Sequence, residues 1–429
     1  SARQIRPTHN AWPSISHGDG HAERNVRIMW LPVLDFSGRS IVVRYSTSTS
    51  SLLLGLAALI PAGVCEQAFA QSVSLTLAGR ERFLTTPSEG AWLYAFTMHS
   101  GPGAGDLMSC HGVMTRSDIA DEAHVRFSSD NGISWSEPTA IPTHQQTSAG
   151  TLHRGYMPGL YDARQGVFFV PIGQAVLPTN DPWEGFQRWT VRYALSRDGG
   201  RTFFHEDQII QSDGDYSAEH PLPGVWVGKN CYMLGDITCA PIQIRTGEIL
   251  LPVQIPPIDP DGKKYHNPGG GASYTDCAVL IGCWNEEGTL DWRLSDVVRA
   301  DASRTTRGLI EPTIVEMPDR RLLMVMRGSN DANPEIPGTK WFSISEDGAQ
   351  SWSVPQPWAY TDGDVFYSPS ACSQLLMHSS GRIFWVGNIC PENPRGNGPR
   401  HPLLIGEVDP NSMLLRKETL LTIDQRQPG

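Results

Sequence analysis

Five segments of the chain share one pattern of apolar and polar positions. Each has a short strand-like stretch, a tight turn and then a strongly apolar stretch. Glycine occupies the turn in four of them, and Asp319-Arg320 occupies it in the remaining one. Four of the five segments open on a proline, which fits the first residue of a strand because no ladder N–H is needed there. The pattern predicts five β-hairpins of one type, at residues 83–96, 158–172, 241–253, 312–326 and 369–386.

A second repeat along the chain is polar. The pattern Ser-x-Asp-x-Gly-x-Ser/Thr-aromatic occurs at residues 128–135 and 196–203, and residues 345–352 keep its frame with Ala349 in place of the glycine. The Asp side chain of such a turn accepts hydrogen bonds from nearby backbone N–H groups, the glycine supplies a positive φ, and the aromatic residue anchors the turn in the core. Three copies in one frame indicate a repeat architecture.

This polar repeat resembles the Asp-box of the sialidase (neuraminidase) superfamily. The resemblance implies an all-β fold, a six-bladed β-propeller, in which the five hairpins are the inner halves of blades and the Asp-box turns belong to outer hairpins. The Asp-boxes are structural in that family, so they indicate fold rather than activity. Residues 401–408 start a further strand, and the chain then ends at Gly429. A sixth blade needs more sequence or a closing strand from the N-terminus, so we expect a C-terminal truncation.

Composition agrees with many short strands and excludes one class of partner. The 429 residues include 42 Gly, 33 Pro and 13 Trp, a mixture that favours strands and turns over helices. The net charge is −11 and the chain lacks a basic block, so we expect no nucleic-acid partner. The eight cysteines include no C-x-x-C pair and no metal-ligand spacing, so we expect neither a metal nor a cofactor. Disulfides and buried thiols both remain open.

The N-terminal residues predict export. Residues 1–45 show no strand or helix periodicity, and we expect them to be disordered or an upstream extension. Residues 46–70 follow a basic residue, contain an apolar run at 52–64 and end on Ala68-Phe69-Ala70, which is typical of a signal peptide cleaved near Ala70. A buried helix is the alternative. The mature propeller is then expected at residues 71–429, secreted or periplasmic and without a membrane span.

The most specific candidate chemistry lies in the hairpin at 312–326. Glu311 opens its first strand, and Arg327 ends its second strand 16 residues later. A hairpin brings these two ends together, so the side chains are expected side by side at one rim. The segment resembles the sialidase segment in which a glutamate polarises the nucleophilic tyrosine and an arginine belongs to a triad that binds the sialate carboxylate. A planar guanidinium binds a carboxylate bidentately, which suits that role.

The resemblance also implies two further arginines. Arg400, just before the strand that starts at 401, resembles the third arginine of the triad, and Arg395 is a close competitor. The family shows Arg-Ile-Pro at the first arginine, and this tripeptide does not occur here. The register of the first hairpin places Arg80 at that position, with Arg82 or Arg116 as alternatives.

The acid/base and the nucleophile are less well marked. The family uses an aspartate on a mobile loop after the first inner hairpin, and Asp106, in a glycine-rich loop, has that placement, with Asp118 as the alternative. Sialidases use a tyrosine that follows the third arginine, but no tyrosine follows Arg400. Tyr367 is predicted at the correct rim but is out of order. The chain is therefore either a fragment without that tyrosine or a propeller with other chemistry.

The sequence supports one expected function and two rivals. We expect a secreted, exo-acting glycoside hydrolase of the sialidase type, whose partner is a glycan from which it removes a terminal acidic sugar, most simply sialic acid. A non-catalytic carbohydrate-binding propeller is one rival, with Trp183, Trp226 and Trp341 as candidate aromatic platforms. The other is a lyase or hydrolase that acts on uronic-acid-containing polysaccharides, centred on His153 and Tyr156.

Overall fold

The strands follow from apolar stretches bounded by turn residues. The computed structural model describes residues 29–31, 39–45, 75–85, 88–116 and 119–425, and within them it has only strands, turns and two short 3₁₀ helices, Pro182–Gln187 and Lys417–Thr419. Three strands form an N-terminal sheet in the order β1-β2-β3. Their bounds are β1 Met29–Leu31, β2 Arg39–Tyr45 and β3 Leu75–Arg82.

The remaining strands form five antiparallel sheets, the blades of a β-propeller. Blade 1 holds β4 Trp92–His99, β5 Leu107–Met114, β6 Glu122–Ser128 and β7 Thr139–Ile141. Blade 2 holds β8 His144–Thr147, β9 Gly150–Tyr156, β10 Leu160–Asp162, β11 Val167–Leu177, β12 Thr190–Ser196 and β13 His205–Gln208.

The other three blades have four strands each. Blade 3 holds β14 Ile242–Gln243, β15 Ile249–Ile255, β16 Asp276–Trp284 and β17 Leu290–Leu294. Blade 4 holds β18 Ile310–Glu316, β19 Leu322–Arg327, β20 Lys340–Ser345 and β21 Gln356–Pro357. Blade 5 holds β22 Gln374–Met377, β23 Ile383–Asn388, β24 Leu403–Val408 and β25 Leu421–Asp424.

The prediction of an all-β propeller is confirmed, but the prediction of six blades is wrong. The described residues form five blades, whose inner strands follow one another around the ring: β10 contacts both β4 and β14, and β18 contacts both β15 and β22. The sequence itself shows five hairpin patterns, and the sixth blade came from the resemblance alone. Beside blade 5 lies the N-terminal sheet, since Leu75 and Leu77 pack against its apolar side chains.

Four of the five predicted inner hairpins have the expected place in the structure, and the first differs. Residues 83–85 form no strand, and the inner hairpin of blade 1 joins β4 to β5 through the glycine-rich loop 100–106. Both flanks of that loop are apolar and their side chains are mostly buried, which is why β4 and β5 pair with each other.

The Asp-box turns are closed by their own side chains. In the first, the Asp130 carboxylate accepts hydrogen bonds from the Ser134 N–H at 2.9 Å and the Ser134 hydroxyl at 2.6 Å. The Gly132 N–H donates to the Ser128 hydroxyl oxygen at 2.9 Å. The Ser134 hydrogen bonds, together with one from Ser128, lower the pKa of Asp130 to about 2. The side chains of the turn thus supply the hydrogen-bond partners that its backbone N–H groups would otherwise find in a neighbouring strand.

Apolar faces of neighbouring blades pack against each other and form the core. Between blades 2 and 3, the Trp292 ring lies 5.9 Å from the Phe169 ring and 5.5 Å from the Tyr193 ring. Between blades 4 and 5, the Trp358 and Trp385 rings make an edge-to-face contact at 5.5 Å. These contacts join neighbouring blades side by side, and the loops lie at the two rims of the propeller.

Several N-terminal predictions fall outside the described residues. These include the signal peptide at 46–70 and most of residues 1–45, where the structure places only the short strands β1 and β2. No helix in the described part of the chain is long and apolar enough to cross a membrane. The seven cysteines from Cys110 to Cys390 are free thiols, so none of the disulfides that the spacing left open is formed between them.

The hairpin turn of blade 4 allows a test of backbone strain. Arg320 has a φ of 76°, whereas glycine takes the equivalent position in blades 3 and 5, at Gly247 and Gly381. Because an L-residue in the left-handed region costs about 1–2 kcal/mol, Arg320→Gly is expected to raise the free energy of unfolding by about 0.5–1 kcal/mol in urea denaturation. Arg320→Ala removes the same exposed side chain but keeps Cβ, and an equal gain in that variant would contradict the explanation.

Candidate functional site

Blade 4 brings three charged side chains to one rim of the propeller. Strand β18 begins at Ile310, opposite Arg327 at the end of β19, and Arg327 in turn pairs with Lys340 at the start of β20. The Asp-box of this blade follows Ser345 at the far end of β20. We call the end with Arg327 the site rim and the opposite end the Asp-box rim.

A β-bulge aims the Glu311 side chain. The register of β18 with β19 shifts between Ile310 and Thr313, and Glu311 has a φ of 49°. Gln254 fixes this backbone, because its Oε1 accepts the Glu311 N–H at 2.8 Å and its Nε2 donates to the Thr275 hydroxyl oxygen at 3.0 Å. Bulges and positive φ values at non-glycine residues cost energy and recur at functional sites, where they redirect a side chain.

Glu311 and Arg327 form a buried ion pair. Arg327 Nη1 donates to Glu311 Oε1, and both side chains are less than a tenth exposed, at 7% and 8%. Two more of the five guanidinium N–H donors are used, since Nε donates to Ser370 Oγ at 2.8 Å and Nη2 to Asn397 Oδ1 at 3.0 Å. Within the described residues, buried Glu311 Oε2 has no hydrogen-bond partner. The pair is therefore fixed in position, and one buried carboxylate oxygen has no partner among the described residues.

A second carboxyl group, Asp236, approaches the pair from blade 3. A side-chain oxygen of Asp236, one of Glu311 and the Cys372 sulfur all lie within 4.8 Å of one another. Gly235 permits this approach, because a Cβ there would lie 1.7 Å from Gln254 Oε1 and 3.2 Å from Glu311 Cγ. Burial, and then the Glu311 charge, raise the pKa of half-buried Asp236 to about 7.

Two further cations surround these carboxyl groups. Lys340 is fully buried and donates its Nζ proton to the Ala371 carbonyl oxygen. Burial, followed by the neighbouring Arg327 charge, lowers the pKa of Lys340 to about 7. Arg400 lies on the loop between β23 and β24, and its charge acts to lower the pKa of Asp236. We call Asp236, Glu311, Arg327, Lys340, Cys372 and Arg400 the rim cluster.

The rim cluster suits an anion better than a metal ion. Asp236, Glu311 and Cys372 offer three ligand atoms close together, as a metal site requires. Burial raises the pKa of the Cys372 thiol well above its usual range, which opposes the thiolate that a metal would need. Arg327, Lys340 and Arg400 also repel a cation, and their positive charges favour a carboxylate or another oxyanion at this place.

Asp106 is not brought to the rim cluster. It lies in the loop between β4 and β5, where its carboxylate accepts the Gly103 N–H at 2.7 Å. The same loop contacts the Asp-box of blade 1, since the Asn131 N–H donates to the Gly105 carbonyl oxygen at 3.1 Å. Asp106 therefore lies at the Asp-box rim, whereas Glu311 and Arg327 lie at the site rim.

His153 and Tyr156 lie in separate surroundings on β9. His153 Nε2 hydrogen-bonds Asn180 Oδ1 at 2.7 Å, whereas the Tyr156 ring packs on the Asp-box residue Phe203 at 5.8 Å. Burial raises the pKa of Tyr156. Neither residue joins the rim cluster, and they do not form a common site with each other.

Tyr367 lies on the segment before β22, where it bridges to Cys390 just beyond the end of β23. It is 38% exposed and lines an apolar groove of about 470 Å³ with residues that include Phe366, Pro402 and Leu420. Among the described residues, no hydrogen bond joins the Tyr367 side chain to Glu311 or Arg327.

The remaining arginine candidates lie in different parts of the structure. The Arg80 side chain lies outside the described residues, although its backbone belongs to β3, and Asp118 also lies outside them. Arg82 is exposed at the end of β3. Arg116 donates to the Asn180 carbonyl oxygen at 3.1 Å. Arg395 is exposed on the same loop as half-buried Arg400.

Sequence reasoning missed Asp236, Lys340 and Cys372. The only signal for Asp236 was a Gly-Asp pair after the apolar stretch 232–234, a pattern that many turns share. In the structure this stretch extends blade 3, because Met233 bridges to Gln254 at the end of β15. Lys340 and Cys372 carry no motif, and only the packing of blades 4 and 5 brings them to Arg327.

Comparisons with known proteins agree with this architecture. Residues 175–425 match the family model described as BNR repeat-like domain, which covers more than half of the chain. No curated protein matches the sequence.

Two solved structures show the same fold at low sequence identity. A Hadza microbial sialidase matches with 13% identity and a TM-score of 0.52, over 77% of this chain and 58% of that chain. A protein of unknown function from Dyadobacter fermentans matches with 12% identity and a TM-score of 0.50, over 79% of this chain and 85% of that chain. The chain thus spans less than two thirds of the length of the sialidase.

The ion pair predicts a strongly non-additive mutational cycle. Arg327→Met leaves the Glu311 charge buried without its main partner, and we expect it to lower the free energy of unfolding by about 3–5 kcal/mol. The double variant Arg327→Met/Glu311→Gln removes both charges, so a substantial part of this loss should be recovered in urea denaturation. Additive losses would contradict direct coupling of the two side chains.

The raised pKa of Asp236 predicts a pH dependence of stability. Its pKa is raised from 3.8 to about 7 in the folded state. Between about pH 4 and pH 7 the native protein therefore keeps a proton that the unfolded chain has lost, and the free energy of unfolding falls as the pH rises through this window. Asp236→Asn should flatten this part of the curve. An identical slope in the variant would contradict the shift, and the Lys340 titration cannot imitate it because its window lies above pH 7.

Proposed function

Because the chain belongs to the BNR repeat-like domain family and has the propeller fold of the sialidases, we propose that it is an exo-acting glycoside hydrolase of the sialidase type. Its substrate is a glycan with a terminal acidic sugar, and sialic acid is the first candidate. The single observation that supports this proposal most is the rim cluster, where cationic groups surround a fixed carboxylate.

The cations of the rim cluster would bind the carboxylate of the sugar. Arg327 is held by Glu311, Ser370 and Asn397, so its planar guanidinium is already oriented. Arg400 supplies a second guanidinium from the neighbouring loop, and Arg80 stays the proposed third. Oriented guanidinium groups bind a carboxylate through paired hydrogen bonds, and little orientational freedom is lost on binding.

Glu311 would stabilise the transition state. Glycoside hydrolysis passes through a state in which positive charge develops on the sugar ring. The Glu311 carboxylate is kept close to Arg327 and has one oxygen without a partner among the described residues. Such a preoriented negative group acts on the developing charge without reorganisation.

Export is part of the proposal. The segment 46–70 has the pattern of a signal peptide. We therefore propose that the propeller works outside the cytoplasm after cleavage near Ala70.

A carbohydrate-binding propeller without catalysis is the second candidate. Two exposed tryptophans favour it: Trp183 is 59% exposed and stacks on Phe186, and Trp226 is 40% exposed and stacks on His220 at 4.3 Å. Exposed aromatic rings are suitable platforms for sugar rings. Trp341, by contrast, is buried at 3% exposure and is not available as a platform.

The proposal predicts that binding of an acidic sugar depends on Arg400. The unsaturated sialic-acid analogue that mimics the transition state should raise the melting temperature of the full chain, and Arg400→Ala should weaken its affinity by about tenfold or more because a charge-assisted hydrogen bond is lost. Arg395→Ala is the matched control, since it removes an exposed arginine five positions earlier on the same loop.

Three outcomes separate the candidates. Turnover of an aryl sialoside together with Arg400-dependent binding supports the hydrolase. Binding of glycans without turnover supports the carbohydrate-binding propeller. No change in melting temperature with any acidic sugar in the folded protein would overturn the assignment of the rim cluster to a sugar carboxylate.

A further inference from the structure

We propose that Asp236 is the proton donor of the rim cluster and gives its carboxyl proton to the leaving oxygen of the glycan. This inference rests on the proposed function, because it needs a glycosidic bond at the site. Asp236 has no counterpart among the residues that the resemblance implied, since the expected acid/base, Asp106, lies at the Asp-box rim.

Asp236 and Glu311 bring two carboxyl groups close together. A side-chain oxygen of Asp236 lies within 4.8 Å of one of Glu311. Two carboxylates at this separation resist simultaneous ionisation, so one of them retains its proton.

These two carboxyl groups have unequal surroundings. Glu311 receives a charged hydrogen bond from Arg327. Among the described residues, Asp236 receives only the N–H of its own neighbour, Ile237, at 2.5 Å. The proton is therefore expected on Asp236. A pair of carboxyl groups with such different surroundings is the usual arrangement for one acid and one stabiliser.

The charged and titratable groups that face Asp236 come from several elements, and their balance agrees with this assignment. Burial is the strongest influence and the Glu311 charge is next, and together they raise the pKa of Asp236 to about 7. The charges of Arg327 and Arg400 act in the opposite direction. The groups that act on Asp236 or feel its charge are Glu311 from β18, Arg327 from β19, Arg400 from the loop before β24, Cys372 from the segment before β22, and Cys239 from its own segment. Lys340 from β20 completes the rim cluster around them and feels the charges of Glu311, Arg327 and Arg400.

Asp236 is also the less buried of the two acidic residues in the rim cluster. As a whole residue it is half-buried, whereas Glu311, Arg327 and Lys340 are buried. A proton donor must come within hydrogen-bond distance of the leaving oxygen, and this difference favours Asp236 over Glu311.

Asp236 would supply a proton when the glycosidic bond breaks and recover one from water. The bond between the anomeric carbon and the leaving oxygen breaks, and its electron pair stays on that oxygen, which takes the Asp236 proton and departs as an alcohol. A water oxygen then bonds to the anomeric carbon, and the proton that this water loses returns to the Asp236 carboxylate. The products are the free acidic sugar and the shortened glycan, and the carboxyl group is regenerated.

The test compares two substrates in wild type and Asp236→Asn. Sialyl-lactose has a poor leaving group that needs a proton, whereas a 4-nitrophenyl sialoside has a good one that does not. We expect Asp236→Asn to lower kcat/KM for sialyl-lactose by about 10²–10⁴-fold and for the aryl sialoside by less than about tenfold. Wild-type kcat/KM for sialyl-lactose should fall above about pH 7, and this fall should be absent from the aryl reaction of the variant.

Two control variants keep the test specific. Asp236→Glu keeps a carboxyl group and should restore part of the sialyl-lactose activity and its fall at high pH. Asp213→Asn makes the same chemical change at an exposed loop residue and should match wild type. Binding of the unsaturated sialic-acid analogue verifies that each variant is folded with its site intact.

The results that would contradict this inference can be told apart from the result that would contradict the proposed function. Equal losses on both substrates with an unchanged pH profile would assign Asp236 a structural role and overturn this inference alone. Undiminished sialyl-lactose activity in Asp236→Asn would also overturn this inference alone. A wild-type protein that binds the analogue but cleaves neither substrate would overturn the proposed hydrolase, and this inference with it.

Discussion

The site rim depends on the buried ion pair between Glu311 and Arg327. Burying two charges costs several kcal/mol of solvation, so such a pair persists only with good geometry and additional hydrogen bonds. Here the geometry comes from the bulge in β18, and the additional bonds come from Ser370 and Asn397 of blade 5. The pair therefore links the inner hairpin of blade 4 to the next blade, and the other charged groups of the site are arranged around it.

The rim cluster contains an acid and a base whose pKa values have moved toward each other. Burial raises the pKa of Asp236 to about 7 and lowers that of Lys340 to about 7. Near neutral pH, both groups therefore respond to any charge that enters the site. An anion that entered the site would favour the protonated form of each. Under the proposed function, binding of an acidic sugar would therefore also favour the proton on Asp236.

The Asp-boxes and the rim cluster lie at opposite rims of the propeller. The Asp-boxes and the inner hairpin turns lie at one rim, where side chains close turns upon themselves, as Asp130 and Ser134 do. The rim cluster lies at the other, and blades 3, 4 and 5 supply its members. A propeller can vary its site-rim residues while its blades stay packed, which is why the fold by itself does not define the reaction.

The sequence by itself determined the features that depend on local spacing. Alternating turns and apolar stretches predicted the strands, the Asp-box repeat predicted a propeller, and a 16-residue hairpin predicted that Glu311 and Arg327 meet. Only the tertiary structure decided the number of blades, the position of Asp106 at the Asp-box rim, and the approach of Asp236 and Lys340 to the ion pair. The physical reason is that hairpin contacts follow from residues close in the chain, whereas ring closure and the burial of charged groups depend on packing between blades, which no local pattern records.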